Sequence, residues 1–222
     1  ICSLRGDYAG AINTAADGLA SLGVNLPTQP TFEQAQQAWL EVQQALEQRG
    51  LQLFDSLPAL HDSTLLAVAE LLASCVIPGS FIQPNMMLLA SSRVLALTLE
   101  QGMSAAAVHG LGWLGVAVAY HYGEYHQGFA FATQACLLAE QPAYAGSRVS
   151  VLVALDQVSP WTRPIPYALE CAEAAYRLSL AQGTPSFACY ANNHVVSDLI
   201  VLGAPIERML RHPDVSVAGI AD

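Results

Sequence analysis

Apolar residues recur along most of the chain at intervals of three and four, the spacing of one face of a helix. The clearest case follows Pro30, where Thr31-Phe32-Glu33-Gln34 has the form of a capping box, a hydroxyl at the cap and an amide three residues on. Phe32, Ala35, Trp39, Val42 and Leu46 then make an apolar stripe, with Gln36, Gln37, Glu41, Gln44 and Glu47 opposite, and the pattern ends near Gly50. Residues 166–182 follow the same design: Leu169, Ala172, Tyr176 and Leu180 form the stripe, and Glu173 and Arg177 stand one turn apart on the other side. The pattern predicts further helices over about 8–21, 61–75, 84–101, 104–121, 125–140, 147–159 and 186–202. Short breakers separate them, among them Pro27/Pro30, Pro78-Gly79, Gly102, Gly123, Pro160/Pro164/Pro166 and Gly183. No alternating run of β-branched residues is bounded by hairpin turns, so the expected fold is all-α.

Helices joined by such short connections are expected to pack as antiparallel neighbours, either as a closed bundle or as a stacked array. Internal similarity favours the array. Gly6-Asp7-Tyr8 and Gly123-Glu124-Tyr125 each have a small residue five positions after the glycine, and Gly183 with Ala188 keeps that register. Leu99-Glu100-Gln101-Gly102 and Leu180-Ala181-Gln182-Gly183 match at a separation of 81 residues, close to two helix-pair units of about 40. In such an array each pair leaves an apolar face that the next pair covers.

Gly6-Asp7-Tyr8-Ala9-Gly10-Ala11-Ile12, followed by Gly18-Leu19-Ala20-Ser21-Leu22-Gly23 and Leu26-Pro27, resembles tetratricopeptide-type repeats. The order of landmarks along the rest of the chain is similar to the helical-repeat region of large bacterial sensor kinases. These landmarks are Leu57-Pro58-Ala59-Leu60, Val76-Ile77-Pro78, Phe81-Ile82-Gln83-Pro84, the 110–128 stretch, Trp161-Thr162-Arg163-Pro164 and Leu202-Gly203-Ala204-Pro205. In that family the region lies between a STAND/AAA-type ATPase module and GAF and histidine-kinase or similar output modules. Gly183-Thr184-Pro185 departs from the family's Gly-Asp-aromatic. The resemblance implies a stack of antiparallel helix pairs, a tetratricopeptide-like superhelix, acting as an interaction or regulatory scaffold without catalytic residues of its own.

Composition narrows the partners. Of 222 residues, 53% are hydrophobic and 12% charged, and the formal charge is −10, from 18 acidic and eight basic side chains. All eight basic residues are Arg, so a P-loop lysine, a Schiff-base lysine and a Ser–Lys nucleophile are excluded. So large an acidic excess argues against nucleic acid. The five cysteines include no CxxC pair and read as reduced, buried thiols of a cytoplasmic protein. The nearest approach to a membrane span, Met103 to Tyr120, is interrupted by His109 and by Gly and Ser residues, so no membrane is expected. The chain begins at Ile1 without signal-like features, and the expectation is one helical-repeat domain over 1–222, excised from a longer chain. An incomplete first helix pair would expose apolar surface and drive dimerisation of the isolated piece.

Several motifs have chemical forms. Gly110-Leu111-Gly112-Trp113-Leu114-Gly115 is a formal dinucleotide fingerprint, but it lies within a helical pattern with no strand before it, so a packing seam of Val108, Gly112, Gly115 and Ala119 is expected and no cofactor. His121, Glu124 and His126 straddle the Gly123 turn at spacing unsuited to a shared helix face, so no metal is expected. GxSxG is absent, and no catalytic residue is assigned. The candidate interaction surface comprises Tyr120, Tyr125, Gln127, Trp161 and Arg163, residue types favoured as interface anchors. For Trp161 the preferred reading is structural, a ring plugged between helices. The expected function is a non-catalytic scaffold whose partner is another protein or neighbouring domains of the same chain. A small-molecule sensor with an apolar cavity is the alternative, and a helical enzyme with a metal at the histidines is a further rival.

Overall fold

The computed structural model describes residues 2–210, so the two ends of the expected domain, Ile1 and 211–222, lie outside the described residues. It is 80% helical, with no strand among the described residues. The long helices are α1 (Tyr8–Ser21), α2 (Phe32–Arg49), α4 (Ser63–Ser74), α6 (Pro84–Gln101), α7 (Ala105–Tyr122), α8 (Tyr125–Leu138), α9 (Arg148–Val158), α10 (Ile165–Gln182) and α11 (Pro185–Val201). Short helices α3 (Leu53–Ser56), α5 (Val76–Ile82) and α12 (Ile206–Leu210) were not foreseen from the pattern.

Local chemistry sets the helix ends. Thr31 and Gln34 close both bonds of the capping box, Asp62 accepts from Thr64 and Leu65 main-chain N–H, and Ser104 accepts from Ala107. Proline opens α6 and α11 at Pro84 and Pro185, where the missing N–H has no intrahelical partner to lose. Pro78-Gly79, expected as a breaker, instead lies inside α5. Pro78 is in the first turn of that helix, and its lack of an N–H divides α4 from α5 at Cys75. Ser63–Ile82, α4 and α5 taken together, is long and apolar enough to cross a membrane by length and composition, and 44% of its most apolar 18-residue window is buried inside the protein. The sequence had pointed instead to Met103–Tyr120, most of which is α7, a helix buried almost all round.

Helix α7 packs on α4, α6, α8 and α9. Helix α9 in turn meets α8, α10 and α11, and α10 lies along α11. At the other end α1 packs on α4 and α5, while α2 packs on α6, four elements further along the chain. The α3–α4 linker is tied to the α6–α7 turn by Leu60 N–H to Met103 O (2.8 Å) and Met103 N–H to Pro58 O (2.7 Å). Gly102 makes this possible: its φ is +115°, and a Cβ there would meet the Pro58 carbonyl at 2.4 Å.

The chain also comes back on itself. Tyr8 stacks on Phe81 at 4.8 Å, Phe81 meets Tyr190 at 5.3 Å, and the Tyr8 and Tyr190 hydroxyls are 3.2 Å apart. These contacts clasp α1 and α5 to α11 across 182 residues of sequence.

Candidate functional site

Beside this clasp lies an open cleft of about 660 Å³, walled by α4–α5, the first turns of α7, the start of α9 and the start of α11. Its floor is small and apolar: Ala73, Ala105 and Ala106 admit close approach, and Ile77, Pro78 and Phe187 supply bulk. Most of its polar groups are already engaged. Ser74 donates to the Leu71 carbonyl, Ser147 to Ala105, and Thr184 to Ser179.

His109 is the cleft's imidazole. Its Nδ1 is 2.7 Å from Ser150 Oγ, which also accepts from Trp113 Nε1–H at 2.9 Å. Because indole only donates, the network leaves the fewest loose groups when the serine proton goes to Nδ1 and the imidazole proton sits on Nε2. Nε2 has no partner at hydrogen-bonding geometry, and the Ala73 carbonyl pulls weakly on it. Burial drives the His109 pKa down to about 4, outweighing that pull, so the ring is neutral at physiological pH.

A hydroxyl 2.7 Å from an imidazole has the outline of a nucleophile–base pair. The chemistry is missing. Trp113 occupies the oxygen, no carboxylate among the described residues orients Nε2, and an imidazole held near 4 is a weak base at neutral pH.

A second polar cluster joins α9 to α11. Asp156, 2% exposed, accepts from His194 Nδ1 in a short contact, and Asp198, one turn beyond His194, is buried against both. Burial, followed by the charge of Asp156 and a hydrogen bond to it, pushes the Asp198 carboxyl up to about 7, with His194 pulling the other way. Asp198 Oδ2 finds no donor as a carboxylate; with a proton on it, the group can donate to Asp156. Burial lowers the His194 pKa, but the hydrogen bond and charge of Asp156 and the charge of Asp198 outweigh it and leave it raised. Nearby in α10, burial and then the charge of Asp156 push the Cys171 thiol up to about 12.

The five residues expected to form an interaction surface do not line the cleft. Trp161 does not plug between helices. It sits in the Ser159–Trp161 turn that joins α9 to α10, is 63% exposed, and stacks on Tyr125 at 4.9 Å. Arg163 lies 4.8 Å over the Phe129 ring on the same helix as Tyr125 and the half-buried Gln127. Tyr120 belongs elsewhere: it edges His121 and borders a hollow of about 520 Å³ with Phe32, Gln83 and Asn85. His121 points Nε2 to the Pro84 carbonyl at 3.1 Å. Among the described residues no three His, Cys, Asp or Glu side chains are placed to share a metal. The cysteines are free, but Cys189 is exposed and Cys2 and Cys136 half-buried, a correction to the expectation of five buried thiols.

Four of the residues that line the cleft have no sequence signal as a site. Glu70, Ser150, Phe187 and Tyr190 come from α4, α9 and α11, far apart in sequence and without local spacing to link them. The i, i+4 pair His194/Asp198 was a readable signal, but its third member, Asp156, is supplied by α9.

Comparison of this chain with protein-family models, with curated proteins and with solved structures finds no match.

Proposed function

We propose that this chain is a non-catalytic recognition domain that binds a small, largely apolar molecule in the cleft between α4–α5, α7, α9 and α11. The observation that carries this reading is the cleft itself. Its volume of about 660 Å³ falls within the roughly 300–1,000 Å³ of small-molecule pockets. Its walls come from α4–α5, α7, α9 and α11, so a ligand there would tie the middle of the chain to α11 and stiffen the packing between them.

The same proposal takes the helices as antiparallel pairs stacked in a tetratricopeptide-like superhelix. Contacts between alternate helices, α4 with α7, α7 with α9 and α9 with α11, support it, since stacked pairs bring every second helix into one row. A ligand seated along that row would change the spacing seen by neighbouring domains, which suits a cytoplasmic sensor in a bacterial signalling protein such as a multidomain kinase.

The neutral fluorophore N-phenyl-1-naphthylamine tests the reading. Saturable one-to-one fluorescence enhancement is expected with the wild-type protein. Ser74→Trp or Ala105→Trp, which fill the cleft from exposed and half-buried positions, should abolish it with little change in melting temperature. No saturable binding, or binding unaffected by both folded variants, would overturn the proposal.

A protein-contact role is the second reading, favoured by the exposed Tyr125–Trp161 stack with Arg163 beside it. If copies of the chain pair through this face, Trp161→Ala converts the dimer to monomer in sedimentation velocity while the melting temperature stays within a degree or two of wild type.

A further inference from the structure

The charges around the cleft narrow its ligand. Glu70 is the one formally charged side chain lining it, and no arginine among the described residues contributes to its walls. His109 is held neutral by burial, so it brings no positive charge either. The protein as a whole carries −10, which adds a field of the same sign as Glu70. An anion entering this apolar space would lose its hydration and meet no cation, an unfavourable exchange. A cation would meet a carboxylate, Glu70, and the rings of Phe187 and Tyr190 in the same lining.

The layout suits one molecule spanning both. On α4 and α5, Ala73 and Ser74 lie three and four residues beyond Glu70, and Ile77 lies four and three beyond them, so the carboxylate continues the row that carries the apolar wall. Across the cleft Phe187 and Tyr190 lie one turn apart on α11, Tyr190 being held by Tyr8 and Phe81. The Tyr190 pKa is pushed well up, first by burial and then by the Tyr8 hydroxyl bond, so that ring stays a neutral phenol and presents no competing negative charge.

Resting on the cleft reading above, we propose that the site selects an amphiphilic organic amine: an apolar body against Ile77, Pro78, Ala105, Ala106 and Phe187, and one ammonium group paired with Glu70. The apolar body supplies most of the affinity by leaving water. Glu70 supplies the choice between charges, because a carboxylate beside a partly desolvated ammonium favours it over a neutral or negative group of the same shape.

Three probes that share one body and differ in head charge test this: 4-phenylbutylammonium, 4-phenylbutanol and 4-phenylbutanoate, titrated calorimetrically into the wild-type protein and into Glu70→Gln. The ammonium should bind about five- to twentyfold more tightly than the alcohol, as for a charge pair between surface and interior, with the butanoate weakest. Glu70→Gln, at an exposed position that leaves the fold intact, should bring the ammonium down to the alcohol's affinity and leave the alcohol unchanged. Raising salt from 50 to 500 mM should shrink the ammonium's advantage in the wild-type protein. If the alcohol binds but the ammonium is no tighter, or if its advantage survives Glu70→Gln, the amine proposal is wrong while the cleft remains a ligand site. If none of the three binds and N-phenyl-1-naphthylamine also fails, the cleft reading itself falls.

Discussion

Gly115→Ala lowers the stability of this protein by about 3 kcal/mol or more, the upper range for overpacking a tight core, and the melting temperature drops by roughly 6–12 °C for a domain of this size. The cause is main chain against main chain. A Cβ on Gly115 would lie 2.4 Å from the Gly128 carbonyl oxygen and 3.3 Å from Ala132 N, and one on Gly128 would lie 2.5 Å from the Gly115 carbonyl oxygen. Neither atom is the end of a flexible side chain that can swing aside, so α7 and α8 must separate along the contact and loosen Phe131, Ala135 and the other residues buried there. Alanine would gain about 1 kcal/mol of helix propensity over glycine, which the clash outweighs.

Two neighbouring glycines serve as internal controls. At Gly112 the nearest atoms are the Val151 side chain at 3.1 Å and 3.4 Å, which can yield, so Gly112→Ala stays within about 1 kcal/mol of wild type. At Gly146 nothing lies within 4 Å, and Gly146→Ala is neutral or slightly stabilising. Gly115→Ala with Gly128→Ala should cost less than the sum of the two, because the separation forced by one makes room for the other. Urea unfolding of the set measures all of this. A Gly115→Ala protein as stable as wild type would remove the close approach of α7 and α8 from the account.

How this packing could be read beforehand shows where sequence reasoning has purchase. The formal Gly110-x-Gly112-x-x-Gly115 motif pointed to a packing seam because its context was helical, and Val108, Gly112, Gly115 and Ala119 are indeed buried in α7. The capping box, the buried stripe Ala35/Trp39/Val42/Leu46, and the Glu173–Arg177 pair at 3.6 Å were legible for the same reason: they are set by residues within one or two turns of each other. Left-handed Gly123 and Gly183 end α7 and α10 and lead directly into α8 and α11. Pro78 misled because proline disfavours a helix interior but suits a first turn, and position within a helix is not visible until the helix is placed. Trp161 misled because aromatic rings usually pack, whereas this one found its contact on the surface ring of Tyr125.

The site was less legible. A cleft assembled from α4, α5, α7, α9 and α11 depends on how these helices pack, and that packing is the sum of many small interhelix angles that no local pattern encodes. The clasp of Tyr8 and Phe81 on Tyr190 is the extreme case, a contact between the two ends of the described chain. His109 stood out in the sequence only as an interruption in an apolar run. Its role as a neutral, hydrogen-bonded wall residue depends on Ser150, which lies on α9, 41 residues further along the chain.

The Asp156–His194–Asp198 cluster loses stability as pH rises from about 4 to 8, and Asp198→Asn removes the carboxyl's share of that loss. In the folded protein the Asp198 carboxyl titrates near 7, against an ordinary value of 3.8. The unfolded chain therefore releases this proton more readily than the folded one, and ionisation costs the folded state progressively from about pH 4 up to about pH 7. His194 acts in the same direction. Its pKa is raised above 6.5 by Asp156 and Asp198, so the stability from its charged form is complete below 6.5 and lost as pH climbs through the folded value. The remaining groups around the pair, Asp156 from α9 and Cys171 and Glu170 from α10, carry no positive charge that could take the place of the proton. Asparagine at 198 supplies the N–H that protonated Asp198 would otherwise donate to Asp156, so the variant should match wild type near pH 5 and exceed it near pH 8. The difference between the two proteins cancels the titrating groups outside this cluster, His109 included, which makes it the quantity to measure, by urea unfolding at each pH. His194→Ala should be costly throughout, by about 3–5 kcal/mol, the range for a buried charge stripped of its partner, because Asp156 is 2% exposed and loses its donor. The cluster also bears on the cleft. His194 lies one turn beyond Tyr190 on α11, so loosening this end of the helix at alkaline pH should weaken N-phenyl-1-naphthylamine binding in the wild-type protein and leave it constant in Asp198→Asn. Parallel stability curves for the two proteins from pH 4 to 8 would show that no proton is held between Asp156 and Asp198.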